Sequence, residues 1–123
     1  MSVQQFLRWQ WSDYSAKHRS RANLLIHIVA VPLFQAGTLL LVYSALQRAA
    51  IVAGLGVACV VVSLAMQGRG HRLEAERPAP FGGAGDFIRR IVVEQWVTFP
   101  RFVLSAGWSR NLQATKRAWP PPS

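Results

Sequence analysis

Acidic residues are scarce in this chain of 123 residues: 5 Asp+Glu stand against 14 Lys+Arg, for a formal net charge of +9. Such a balance ordinarily points to nucleic acid. Here no zinc-knuckle pattern and no run of stacking aromatics accompanies the charge, so nucleic acid is not an expected partner. Cysteine is nearly absent: Cys59 stands alone, can form no intrachain disulfide, and sits within an apolar run where it acts as a small apolar side chain. No internal repeat and no phosphate-cradling glycine loop is visible, and neither a nucleotide nor haem is expected as a cofactor. The most informative absence is of charge from two long stretches. Residues 24–46 (LLIHIVAVPLFQAGTLLLVYSAL) and 49–66 (AAIVAGLGVACVVVSLAM) contain no Lys, Arg, Asp or Glu.

As helices these runs measure roughly 35 Å and roughly 27 Å, against a hydrocarbon core of about 30 Å. Both can span. Only Gln47 and Arg48 lie between them, which predicts a helical hairpin with its turn on one side of the bilayer and both polar flanks on the other. Arg8, Lys17, Arg19 and Arg21 precede the first span, and Arg69, Arg72, Arg77, Arg89 and Arg90 follow the second, against Arg48 alone in the turn. This asymmetry predicts an integral protein of the bacterial inner membrane type with its termini facing the cytoplasm. Basic flanks beside anionic headgroups make membrane lipids the expected partners. A cleaved signal peptide is the competing reading of the first run, but a long polar preface and a second span argue against it.

The flanks predict further helices. In residues 3–18, Leu7, Trp11, Tyr14 and His18 recur at helical spacing on one face. Ser20 is a candidate N-cap for the first span. Residues 77–85 (RPAPFGGAG) form a loop, and Asp86–Gly107 is predicted as a third helix bent at Pro100. Its polar stripe of Asp86, Arg90, Glu94 and Arg101 opposes an apolar face that includes Ile88, Ile91, Val92, Trp96, Phe99, Phe102 and Val103. The stripe reads as a solvated face carrying an Arg90–Glu94 pair. A third span would carry Arg110, Lys116 and Arg117 across, so the helix is expected to be interfacial or re-entrant. Residues 118–123 read as a disordered tail. Gly54 and Gly56 are small residues suited to close helix approach. The fold class is thus all-α, a single integral membrane helical bundle over 1–123, compatible with a homo-oligomer.

The chain's three histidines all fall near one membrane face: His18 before the first span, His27 one turn inside it, and His71 one turn beyond the second. Asn23 and His27 share a helix face at a spacing of four, as do His71 and Glu74 at a spacing of three. An imidazole or carboxylate at the hydrocarbon boundary is costly unless paired, ligated or facing a polar cavity. Nitrogen and carboxylate ligands suit Fe(II), Zn(II) or Mn(II), and two His with one carboxylate form the non-haem Fe(II) oxygenase arrangement. The plainer reading is that His18 and His71 are interfacial polar residues, that His27 bonds within the hairpin, and that Glu74 pairs with Arg72 or Arg77. A di-iron desaturase site needs more histidines than these.

The order Tyr14, His18, Asn23, His27, Pro32, then Gly70-His71, Glu74 and Pro78-Ala79 resembles the small membrane-protein family that includes the fungal endoplasmic-reticulum 2-hydroxy fatty acid α-dioxygenase and many bacterial members. The resemblance covers roughly residues 6–107 and rests on HRSRANLLIHIVAVP and GHRLEAERPA. Ala30 stands where the family usually has glycine, and Leu73 where it usually has an aromatic; neither change removes a ligand. The resemblance implies an Fe(II) cofactor with His18, His27 and His71 as catalytic ligands and Glu74 as a fourth ligand or a partner that orients one imidazole. Asn23, Tyr14, Arg72 and Arg77 would support a ligand or the substrate, a 2-hydroxy long-chain fatty acid shortened by one carbon. Two rival functions are a non-catalytic membrane module binding anionic lipid or a partner protein, and a metal-dependent lipid hydrolase.

Overall fold

The two charge-free runs become the two longest helices of the computed structural model, which describes residues 1–117; the expected disordered tail 118–123 lies outside the described residues. In chain order the elements are α1 (Val3–Ser12), α2 (Arg21–Gln47), α3 (Ala50–Arg72), α4 (Ala84–Val93), a π-helical turn (Glu94–Thr98), α5 (Phe99–Leu104) and α6 (Gly107–Arg117). There is no strand among the described residues, so the fold is all-α. Helices α2 and α3 are long and apolar enough to cross a membrane, which associates the chain with one.

Ser20 caps α2 by accepting from the Asn23 N–H at 3.4 Å. At the other end Arg48 adopts a left-handed conformation (φ 52°) and its N–H bonds to the Ser44 carbonyl, which reverses the chain into α3. The two helices then run antiparallel, with Ser63 Oγ donating to the Ala30 carbonyl at 2.5 Å. They meet closely where Gly37 faces Gly56. A Cβ on Gly56 would come within 2.9 Å of the Gly37 carbonyl oxygen, and one on Gly37 within 2.9 Å of Cys59 Cβ. Gly54 is open instead, with nothing near a built Cβ.

Helix α1 starts at a capping box between Ser2 and Gln5 but ends at Ser12, earlier than the 3–18 expected. Residues 14–17 form tight turns, with the Lys17 N–H on the Asp13 and Tyr14 carbonyls and the His18 N–H on the Ser15 carbonyl. Carbonyls freed by this early stop find a donor in α6: Asn111 Nδ2 reaches the Ser15 and His18 oxygens at 3.0 and 2.8 Å. The sequence reading did not anticipate α6 as a separate helix. It follows a reversal at Ala106 (φ 64°), and Trp108 anchors it by donating Nε1–H to the Leu24 carbonyl at 2.9 Å.

The expected third helix over 86–107 is divided. It starts at Ala84, widens into the π turn at Glu94–Thr98, and ends at Leu104. Pro100 has no N–H to close the turn on the Gln95 carbonyl, and Gln35 Nε2 fills that place at 2.8 Å. The irregularity therefore precedes the proline, as a π turn rather than a simple bend.

The facing of this segment also corrects the expectation of a solvated polar stripe. Ile88, Val92 and Trp96 are 60%, 46% and 42% exposed, while Arg90, Gln95 and Thr98 are buried and Glu94 points inward. Arg90 bonds to Asp86 and to the Ala79 and Pro80 carbonyls, not to Glu94. Exposed apolar side chains also cover α2 and α3, among them Val29, Leu39, Val42, Ile51, Leu55 and Val61. Polar groups within and apolar groups without is the order that suits an apolar surrounding medium.

Gly56→Leu is expected to destabilise the hairpin by about 1–3 kcal/mol or more through overpacking, while Gly54→Leu is tolerated. Thermal unfolding followed by tryptophan fluorescence in detergent checks the contrast.

Candidate metal centre

Four elements bring one side chain each to a common point. His18 comes from the turn before α2, His27 from the second turn of α2, His71 from the last turn of α3, and Glu94 from the start of the π turn. One ligand atom from each lies within 4.8 Å of all the others. The imidazole centroids form a near-equilateral triangle, with sides of 4.8, 4.8 and 4.9 Å, and the rings cross at 79–87°.

Hydrogen bonding decides the tautomers of two rings. His18 Nδ1 lies 2.7 Å from the Tyr14 carbonyl, and His27 Nδ1 lies 3.1 Å from the Asn23 carbonyl. A carbonyl only accepts, so both Nδ1 atoms carry the proton and both Nε2 atoms present lone pairs. Those two Nε2 atoms are buried without a hydrogen-bond partner, as is Nδ1 of His71. One unsatisfied buried acceptor costs about 1–3 kcal/mol; the two Nε2 atoms, with the unpartnered Nδ1 of His71 beside them, would be answered together by a cation. With three imidazoles and one carboxylate, the donor set suits a divalent ion of borderline softness such as Fe(II), Zn(II) or Mn(II).

Glu94 Oε1 lies 3.8 Å from His18 Nε2 and 3.7 Å from His27 Nε2. Its position is fixed by Tyr14, whose O–H donates to the same oxygen at 2.9 Å. Burial and the neighbouring Glu94 charge hold the Tyr14 hydroxyl well above its ordinary pKa, so it remains a donor. The Tyr14 ring stacks on His18 at 3.9 Å, and Phe102 closes on both rings. Burial, reinforced by His27, pushes His18 down to about 3, which leaves it neutral and able to ligate. Burial opposes ionisation of Glu94, but its interactions with neighbouring His27, and after it His18 and His71, prevail and hold it down at about 2.

Glu74, expected as a fourth ligand or as a partner that orients one imidazole, lies outside the cluster of four. Its oxygens accept from the Arg19 N–H at 2.8 and 2.9 Å, from the Ser20 N–H, and from Asn23 Nδ2 at 3.4 Å. It thereby satisfies backbone donors where α2 begins and ties that turn to the end of α3. The carboxylate in the histidine cluster is Glu94. Asn23 bonds to Glu74 and supplies the carbonyl that orients His27, and its side chain packs where a Cβ on Gly70 would collide. Arg72 and Arg77 are exposed. The cations that line the cavity beside the cluster are Lys17 and Arg90. A helical wheel placed Glu94 with the solvated stripe, yet one signal was present: it is the last acid of the chain, set within the otherwise uncharged run 91–100 that ends at Pro100.

Such a constellation defines a helical protein with two helices apolar enough to cross a membrane and a cluster of three histidines and one carboxylate that could hold a metal ion. The family described as 2-hydroxy-palmitic acid dioxygenase Mpo1-like matches residues 4–99, a span that contains all four cluster residues. The chain belongs to that family. No curated protein and no solved structure matches it.

Two outcomes are expected. In metal-free protein, His18 takes up its proton in the unfolded chain at about pH 6.5 but in the fold only near 3. Stability is thus lost as pH falls through that window, and Glu94, depressed below its ordinary value, acts in the same direction. The melting temperature should fall on acidification from neutral pH, and less so in His18→Gln. Separately, Glu94→Gln should weaken iron binding by at least about tenfold, whereas Glu74→Gln should lower stability by about 2 kcal/mol and keep the iron. Bound iron after desalting, with thermal unfolding, distinguishes them.

Proposed function

We propose that the chain is an Fe(II)-dependent dioxygenase that shortens 2-hydroxy long-chain fatty acids by one carbon at a membrane surface. The observation that carries this reading is the set of unpartnered imidazole nitrogens of His18, His27 and His71 facing Glu94, in a chain of the Mpo1-like family. His18, His27, His71 and Glu94 would hold the ion. Bound iron would supply Lewis acidity toward the carboxylate and 2-hydroxyl of the acid and the redox chemistry that O₂ requires. The reaction balances when a 2-hydroxy acid and O₂ yield the acid one carbon shorter, CO₂ and water.

The chain's own groups do the positioning. Carbonyls of Tyr14 and Asn23 fix two imidazoles in the ligating tautomer. The Tyr14 hydroxyl aims Glu94, and Phe99 and Phe102 exclude water from the histidine side. Of the cavity's two cations, Arg90 is committed to two carbonyls and Asp86. Lys17 is paired with Asp13 alone, which is half exposed, and is the group we assign to the substrate carboxylate. The excess of basic residues on the flanks over Arg48 in the turn supports a site facing the cytoplasm, in the bacterial inner membrane. Membrane lipid and the fatty acid itself are then the partners.

Protein loaded anaerobically with Fe(II) should convert a long-chain 2-hydroxy acid to the acid one carbon shorter only when O₂ is admitted, and His27→Ala should abolish this. No O₂-dependent product from the 2-hydroxy acid, together with cleavage of a lipid ester under argon by Zn(II)-loaded protein, would replace this reading with a metal-dependent hydrolase. Full conversion by His27→Ala would remove the cluster from the chemistry.

A further inference from the structure

Beside the cluster lies a cavity of about 300 Å³ whose floor includes His18, His71 and Glu94. Its two ends differ in chemistry. Gln10, Asp13 and Lys17 line it on the side of α1 and the following turn, whereas Leu64, Gly68, Phe87 and Ile91 line it from α3 and α4. Leu64, Gly68 and His71 share one face of α3, and Phe87, Ile91 and Glu94 share one face of α4 and its continuation into the π turn, each row following i, i+4, i+7. Both rows are apolar, or open, until they end on a side chain of the cluster.

Gly68 is the unexplained member. Glycine inside a helix costs about 1 kcal/mol relative to alanine, and close approach accounts for Gly37, Gly56 and Gly70, whose built Cβ atoms collide with neighbours. At Gly68 a Cβ would meet nothing within 4 Å, and the residue is exposed. Gly54 and Gly85 are equally open, but neither lines this cavity. Space at Gly68 is therefore space for something other than the chain itself.

We propose that the Leu64–Gly68 and Phe87–Ile91 rows form an acyl-chain cleft, with Gly68 as the residue that keeps it open toward the lipid. The acid end rests on the dioxygenase reading above; the cleft rests on the cavity. At 300 Å³ the cavity has room for about ten water-sized groups, less than a long acyl chain. The near part of the chain lies between the two rows, and the remainder leaves past Gly68 among the exposed apolar side chains of α3 and α4. Ile88 and Val92 on α4 and Val61 and Val62 on α3 give it an apolar surface to follow. Long acids are thus recognised by their first carbons and tolerated in their length.

The test is photolabelling of the full iron-loaded chain in lipid nanodiscs, with a long-chain 2-hydroxy acid carrying a diazirine in its near half or at its far end. The near-half probe should label the peptides holding Leu64–Gly68 and Phe87–Ile91, and the far-end probe should label lipid and the outer apolar side chains of α3 and α4, Val61, Val62, Ile88 and Val92. Gly68→Phe should lower near-half labelling by at least about tenfold with bound iron unchanged, and Gly68→Ala should leave it as in the native chain. Near-half labelling elsewhere in the native chain, or undiminished near-half labelling in Gly68→Phe, overturns the cleft. Turnover is read in parallel. Labelling without O₂-dependent product supports the cleft while removing the dioxygenase reading, and turnover without labelling of these peptides removes the cleft alone.

Discussion

Two imidazoles give their only N–H to a carbonyl four residues back in the chain, and the rest of the site depends on that expenditure. With Nδ1–H of His18 on Tyr14 and Nδ1–H of His27 on Asn23, the opposite nitrogens can only accept. Burial denies them water, and no protein donor reaches them. A buried acceptor without a donor is a cost in any fold, and two of them converging beside Nδ1 of His71 and the Glu94 carboxylate make a place that a positive ion would relieve. The helices that carry them are held in place by other means, so the lone pairs stay aimed at one point.

Those other means are polar and internal. Gln67 and Gln95 exchange two amide bonds of 2.8 Å, Gln67 also donates to Ser63, and Ser63 donates to the Ala30 carbonyl. Gln35 supplies the bond that Pro100 cannot make. This network joins α2, α3 and the π turn just below the cluster, where each bond is protected from competition by water. The π turn matters because one widened turn changes the phase of everything after it. Glu94 and Gln95, its first two residues, both point inward, and Phe99 and Phe102 wall the histidines after it. On the far side Glu74 accepts from the N–H groups of Arg19 and Ser20 just before α2, so the turn bearing His18 is fixed to the end of α3.

Much of this was legible in the sequence, for identifiable reasons. Charge-free runs define long helices because burial of a charge in an apolar medium is prohibitive, and the residues Gln47 and Arg48 leave room only for a turn. Ser20 was legible as a cap because its hydroxyl can answer an unsatisfied N–H locally. What could not be read depends on tertiary partners. The end of α1 at Ser12 is stabilised by Asn111, almost a hundred residues later. The π turn is stabilised by Gln35, and a wheel drawn at uniform pitch cannot show it. Glu74 and Glu94 exchanged roles for the same reason: spacing brings Glu74 near His71 in the chain, but the backbone donors at Arg19 and Ser20 claim it first.

The central claim is that His18, His27, His71 and Glu94 together hold one metal ion. X-ray absorption at the iron edge of anaerobically loaded protein reads that set most directly, because imidazole rings leave a multiple-scattering signature that can be counted. The account predicts three imidazoles with oxygen completing the shell, one imidazole fewer in His27→Ala, and all three retained in Glu74→Gln. A shell of oxygen ligands alone, or an unchanged imidazole count in His27→Ala, would contradict it.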